Sequence, residues 1–346
     1  MSADAILPLS ADLILVFAAA ALLCGGLILV LRPLLVRYAL ARPNGRSSHR
    51  EPTPQGGGIA VIAATTLVLL GQALITPAAF PDPLKLAVIF VCVVGLAVIG
   101  ATDDIRPLDA LPRLAFQALA VLITLAMLPS GFQILSFIPW WIERALLFFA
   151  LLWFVNLVNF MDGLDWMTVA EVVPVAAALV LFGLMGALPR EATFVALALC
   201  GAMIGFAPFN RPVARLFLGD VGSLPIGLLL GWLLILLAGK SVAAAALLPL
   251  YYLADATITL VRRFLRGEKV MQAHRTHFYQ RATDGGLTVL AIVSRVFVVN
   301  VALAGLAALA LLDGSVAVQV IALAIGCVIV GALLWNFGRL ASPRHA

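Results

Sequence analysis

The sequence predicts an all-α fold, a polytopic integral membrane bundle of about eleven transmembrane helices. Three observations predict it. Of 346 residues, 63% are hydrophobic and 11% are charged, against roughly 25% charged in a soluble domain. The apolar residues gather into runs close to the roughly 20 residues that a helix needs to cross a bilayer. The basic residues fall on alternate connections between those runs. A soluble globular domain of this length could not cover so much apolar surface. Four cysteines, Cys24, Cys92, Cys200 and Cys327, lie far apart in apolar runs without C-x-x-C spacing, so they read as small hydrophobes rather than a disulfide or metal framework. The net charge of +5 follows the loops and is no signal for nucleic acid.

The apolar runs lie near 11–31, 57–77, 84–101, 114–130, 144–160, 167–187, 192–208, 222–239, 242–261, 293–312 and 316–338. The first follows "MSADAILPLSADLILVF", which has no Lys or Arg and so lacks the basic start of a signal peptide; it reads as a retained helix. The second opens on the glycines of "PTPQGGG", and the third runs up to Asp103-Asp104. The fourth leads to the fifth, which runs into "NLVNFMDGLDWM"; the sixth carries Glu171. The seventh precedes "FLGDVGS", from which the eighth begins; the ninth carries Asp255. The last two close the chain. Several runs are short or contain Gly and Pro, which membrane bundles tolerate. No internal repeat is present.

Of the 22 basic residues, all but Lys85, Arg144, Arg190 and Lys240 fall on one side of this alternation. Arg42, Arg46, Arg50, Arg106, Arg113 and Arg344 are among the majority. Positive residues stay cytoplasmic, which puts the N-terminus outside and the C-terminus in the cytoplasm. The expected organisation is one domain, 1–346, with inner loops near 32–56, 102–113, 160–166, 209–221 and 262–292. The outer connections, such as "PDPL", "PRE" and "DGS", are short.

The polar clusters all fall on the inner side: "RPNGRSSHREPTPQGGGIAV", "GATDDIRPLDALPR", "NLVNFMDGLDWM", "NRPVARLFLGDVGSLPIG" and "RRFLRGEKVMQAHRTHFYQR". Asn156, Asn159, Asp162 and Asp165 recur at every third position where a helix meets the membrane edge. Four polar groups there need a ligand or a cavity. Adjacent carboxylates, Asp103 and Asp104, repel and are most simply stabilised by a cation, and hard divalent cations prefer carboxylate oxygen. Turns at Gly56–Gly58 and Gly219–Ser223 are suited to presenting backbone amides to phosphate. The arginines of 262–281 add charge, with Arg able to grip phosphate bidentately. Carboxylates hold Mg²⁺ or take a proton. The set fits phosphoryl transfer at an inner membrane surface, between a soluble anionic donor and a lipid acceptor.

In order along nearly the whole chain, "PTPQGGG", Asp103-Asp104, "NLVNFMDG", "FLGDVGS" and the His-containing loop resemble the motifs of the polyprenyl-phosphate N-acetylhexosamine-1-phosphate transferases, of the glycosyltransferase family 4 type. The resemblance implies transfer of an N-acetylamino-sugar-1-phosphate from a UDP-sugar to undecaprenyl phosphate, with release of UMP, in the bacterial cytoplasmic (inner) membrane. It implies Mg²⁺, with Mn²⁺ as a substitute, and it leaves a homodimer open. Asp220 is similar to the family's metal ligand, with Asp103 beside it. Asp103 would deprotonate or orient the lipid phosphate and Asp104 would shape the same pocket. Asp162 would join Asp103 and Asp104 as a catalytic residue at the nucleotide or the metal's surroundings, and Asn156, Asn159 and Asp165, with Gly222 and Ser223, would bind substrate there. His274, Arg275 and His277 would hold the donor's phosphates or sugar.

"AHRTHFYQR" is closer to the initiators of O-antigen and related polysaccharides than to peptidoglycan enzymes, which carry consecutive histidines there. The phospho-N-acetylmuramoyl-pentapeptide transferases remain an alternative. The family often has a Lys three residues after the second Asp; this chain has Pro107, and Arg106 or Arg113 is the expected substitute. A transporter or flippase would need polar groups at mid-membrane and a path outward. A CDP-alcohol phosphotransferase would show "DGxxAR", where this chain has "DGLDWM".

Overall fold

A computed structural model describes residues 3–41, 52–269 and 274–340, with side chains from residue 11 to residue 339 of these. Arg42, Arg46, Arg50 and Arg344 lie outside the described residues, as do residues 42–51 of the first inner loop. Among the described residues thirteen α-helices follow one another: α1 (Ala3–Tyr38), α2 (Gly57–Ile75), α3 (Pro83–Ile105), α4 (Ala110–Ala126), α5 (Trp140–Met161), α6 (Met167–Leu184), α7 (Arg190–Phe206), α8 (Asp220–Ala238), α9 (Val242–Leu247), α10 (Leu250–Leu265), α11 (Phe278–Asp284), α12 (Val289–Asp313) and α13 (Val316–Leu340). Two short strands, β1 (Leu40–Ala41) and β2 (Thr53–Pro54), pair antiparallel.

Every expected apolar run is helical. Among the described residues eight helices are long and apolar enough to cross a membrane: α1, α2, α3, α5, α6, α8, α12 and α13. This is the architecture of a multi-pass membrane protein. The helices α4 and α7 have 17 residues each. The run at 242–261 is not one helix. It breaks between α9 and α10 at Pro249, which has no amide hydrogen to continue the ladder and whose ring crowds the preceding turn.

The helix α8 is apolar on every side, and 94% of its most apolar stretch is buried, as expected of a helix at the centre of a bundle. Small residues let its start meet two other backbones. A Cβ at Gly58 of α2 would overlap the backbone of Gly222, and one at Gly100 of α3 would overlap the Asp220 carbonyl. Close approach through glycine is a general means of joining membrane helices. Here it brings the carboxylate-bearing end of α3 against the carboxylate-bearing start of α8.

The segment after β2 is fixed by backbone hydrogen bonds. Phe217 N–H donates to Pro54 at 2.9 Å, and Gly57 and Gly58 donate to the carbonyls of Phe217 and Leu218, each at 2.9 Å. Gln55 Nε2 donates to the Asp104 carbonyl at 2.6 Å. "PTPQGGG" therefore docks α2 beside "LFLGD".

Candidate active site

Asp103 and Asp104 occupy the last turn of α3. Neighbours on a helix point about 100° apart, and these two carboxylates do different work. Asp104 accepts from the backbone amides of Asp220 at 3.0 Å and Val221 at 3.2 Å. It thereby satisfies two of the amides left open at the start of α8 and meets the positive end of that helix. Gly219, just before α8, has φ 78; a Cβ there would overlap the Asp104 carboxylate. Only glycine accepts both that backbone and that neighbour.

Asp103 turns the other way. Its oxygens accept from Leu108 N–H and from Arg113 Nη1, both at 2.6 Å. Arg113 Nη1 also lies 3.4 Å from Asp220 Oδ2. Asn159 Nδ2 donates to Asp220 Oδ1 at 2.7 Å and to Ser223 Oγ at 2.9 Å. Arg113 is thus the basic group that joins the two acids, whereas Arg106 is exposed at the end of α3.

The polar ladder divides because α5 stops at Met161. Asn156 donates to Gln117 Oε1 of α4 at 2.7 Å and to the Leu152 carbonyl at 2.8 Å. Asp162 lies just past the helix and accepts from Thr168 Oγ1. Burial, with Asp104 and Asp165 adding to it against the Thr168 hydroxyl, pushes the Asp162 carboxyl up to about 7. Asp165 is buried and accepts from Ala214 N–H at 2.9 Å; it ties this turn to the segment before α8.

A raised carboxyl pKa means that the folded protein holds a proton the unfolded chain has lost. The resulting stability is complete below the ordinary value of 3.8 and disappears as pH rises through about 7. Asp162→Asn, which stays neutral, is expected to melt progressively higher than wild type as pH rises across that window. The gap levels off above it. Thermal melts of both proteins in one detergent check this; a gap independent of pH would contradict it.

The His-containing loop folds back over this region. Tyr279 O–H donates to the Phe160 carbonyl at 3.1 Å, and a Cβ at Gly163 would overlap that phenol. His274 and His277 stack with ring centres 4.9 Å apart. Arg275 pairs with Asp284 at 3.1 Å and donates to Thr283 at 3.3 Å, so it braces α11.

These segments enclose a cavity of about 610 Å³ whose lining includes Asp103, Arg113, Asn156, Asn159, Asp220, His274 and His277. Phe149, Leu152, Trp153 and Leu260 give it an apolar wall. Asp104, Asp162, Asp165, Arg275, Gly222 and Ser223 are not among its lining residues. Gly222 and Ser223 are buried behind it.

The amides expected to face phosphate are engaged elsewhere. Gly57 and Gly58 bond to the 217–218 segment, Asp220 and Val221 to Asp104, and Gly222 and Ser223 to the Gly219 carbonyl. The glycines serve close packing instead. Glu171 Oε2 accepts from Asn300 of α12 at 2.6 Å, a helix-to-helix bond. Cys24, Cys92 and Cys200 are buried, Cys327 is exposed, and all four are unpaired. Gln117 and the links made by Asp255 escaped the sequence reading. Asp255 was visible only as a lone acid in an apolar run.

The sequence model of glycosyl transferase family 4 matches residues 86–238, which span α3 through α8. The chain is 29% identical to decaprenyl-phosphate N-acetylglucosaminephosphotransferase of Mycolicibacterium smegmatis, over 74% of this chain and 71% of that one. It is 25% identical to a probable undecaprenyl-phosphate N-acetylglucosaminyl 1-phosphate transferase of Bacillus subtilis, over 75% of each. It is 30% identical to phospho-N-acetylmuramoyl-pentapeptide-transferase of Shouchella clausii, over 62% of this chain and 70% of that one. With the five motifs in order and four of them lining one cavity, the chain belongs to the polyprenyl-phosphate N-acetylhexosamine-1-phosphate transferase family.

Proposed function

We propose that the protein transfers an N-acetylamino-sugar-1-phosphate from a UDP-sugar to undecaprenyl phosphate, giving an undecaprenyl-diphosphate sugar and UMP, and so initiates a surface polysaccharide. One observation carries this reading. Asp103, Asn159, Asp220 and His277, far apart in sequence, line a single cavity that also has an apolar wall. A polar donor and a lipid phosphate can meet there. The distribution of basic residues supports a cytoplasmic site in a bacterial inner membrane.

The donor set suits a divalent cation. Asp103 and Asp220 point at one shared positive group, Arg113, and Asn159 adds an amide. Among the described residues no three His, Cys, Asp or Glu side chains form a cage. Mg²⁺ is usually held by one or two carboxylates plus substrate phosphates. When bound, it would neutralise charge on the donor's diphosphate and the departing UMP. Arg113 adds a fixed positive charge at the same place. Asp103 orients the lipid phosphate, and Asn159 holds Asp220 in register. His274 and His277 lie on the cavity wall for contact with the donor, and Phe149 and Trp153 provide surface for the first isoprene units.

The test is purified protein in detergent, undecaprenyl phosphate, Mg²⁺ or Mn²⁺, and a panel of UDP-N-acetylamino sugars including the muramoyl-pentapeptide derivative. UMP release with GlcNAc or a 6-deoxy amino sugar is the expected result. Release with the muramoyl-pentapeptide donor alone would favour the activity named for the Shouchella relative. No UMP from any donor would overturn the reading, and a transporter would show none.

A further inference from the structure

Beside the cavity lies Asp255 of α10, which is 0% exposed. Its carboxylate is crowded with donors. Oδ1 lies 3.1 Å from His277 Nδ1, 3.1 Å from Phe278 N and 3.3 Å from Thr259 Oγ1. Oδ2 lies 3.3 Å from Tyr279 N and from Tyr251 Oη. Backbone amides can only donate, and one points at each oxygen. Both oxygens act as acceptors, and with Asp255 as a carboxylate the hydrogen of the His277 contact sits on Nδ1.

The ring has little freedom to escape this arrangement. It stacks with His274, 4.9 Å away, and with Tyr279, 5.6 Å away. His277 also lines the cavity, and Nε2 is its one remaining polar atom. A neutral ring protonated on Nδ1 has a lone pair on Nε2, which accepts a hydrogen bond or a proton; the other tautomer would offer a donor.

We propose that Asp255 is a positioning residue that fixes the tautomer of His277, so that Nε2 presents a lone pair to an O–H or N–H of the bound reactants. The ligand-facing half rests on the transferase reading; the tautomer does not. The carboxylate acts through the ring and touches no substrate. It also explains an acid buried in a helix of a membrane protein, where an ionisable side chain is retained for a task.

The first experiment needs no substrate and no change at Asp255. Long-range ¹H–¹⁵N spectra of the full-length protein, labelled on histidine and held in detergent at a pH where the ring is neutral, report which nitrogen carries hydrogen. The four histidines are separated by losing one signal in His277→Gln. A ring protonated on Nδ1 is expected. A ring protonated on Nε2 would overturn the proposal, whatever reaction the protein proves to catalyse.

The second experiment is a double-mutant cycle on UMP release. Asp255→Asn alone should lower kcat by about 10–100-fold, the loss typical when a histidine's outer hydrogen-bond partner is removed. In a His277→Gln background the same change should cost less than about threefold, because residues acting as one unit are not additive. Full multiplication of the two losses would reduce Asp255 to a brace for α11 and refute its action through the ring.

Discussion

Asp220→Asn is expected to lower kcat for UMP release by about 10²–10³-fold, the loss seen when one preorganised electrostatic group is removed from an active site. The substitution keeps size and shape. Asn159 can still donate to the remaining oxygen, and the Asp104 cap on α8 is untouched, so the melting temperature should stay close to that of wild type. What disappears is one of the two negative charges that flank Arg113. If that charge also recruits a divalent cation, the Mg²⁺ concentration for half-maximal rate should rise in the variant. Turnover within threefold of wild type, with an unchanged Mg²⁺ requirement, would remove Asp220 from the chemistry.

Asp104→Ala is expected to be nearly as damaging, by another route. The carboxylate reaches across from α3 to two amides of α8, and losing a helix cap costs about 0.5–2 kcal/mol. More important is placement, since α8 begins at Asp220 and a shift of its first turn moves the charge that faces Arg113. Misplacement of about 1 Å can cost around 10²-fold in rate. Both kcat and melting temperature should therefore fall. Asp104→Asn keeps an acceptor for one amide and should retain more of each. Gly219→Ala attacks the same joint from the other side, through strain at φ 78 and an overlap with the Asp104 carboxylate, and should resemble Asp104→Ala. If Asp104→Ala loses rate at an unchanged melting temperature, the residue acts on substrate directly instead.

The contrast between the two adjacent acids shows how far sequence reading reaches. Asp103-Asp104 is visible as a pair, and a pair of like charges implies a cation. Nothing in the dipeptide says that one acid faces Arg113 and the cavity while the other caps a helix more than a hundred residues away. The glycines behave likewise. Gly-rich turns suggested open amides, but Gly58 and Gly100 are small because other backbones press on them. The sequence offered Arg106 and Arg113 equally, and the second was selected by the turn between α3 and α4.

Composition and hydropathy alone determine that the chain is a bundle of apolar helices, because partition between water and lipid depends on local runs of residues. Alternation of charge along the loops ordered the polar clusters onto one side for the same local reason. The tertiary structure decided which members of those clusters meet. It put Asp103, Asn159, Asp220 and His277 around one space, set Asp165 and Arg275 to bracing, and gave the lone acid of α10 its five donors. Such contacts join positions up to more than a hundred residues apart, and their geometry is set by close packing of helices whose crossing points no local pattern records.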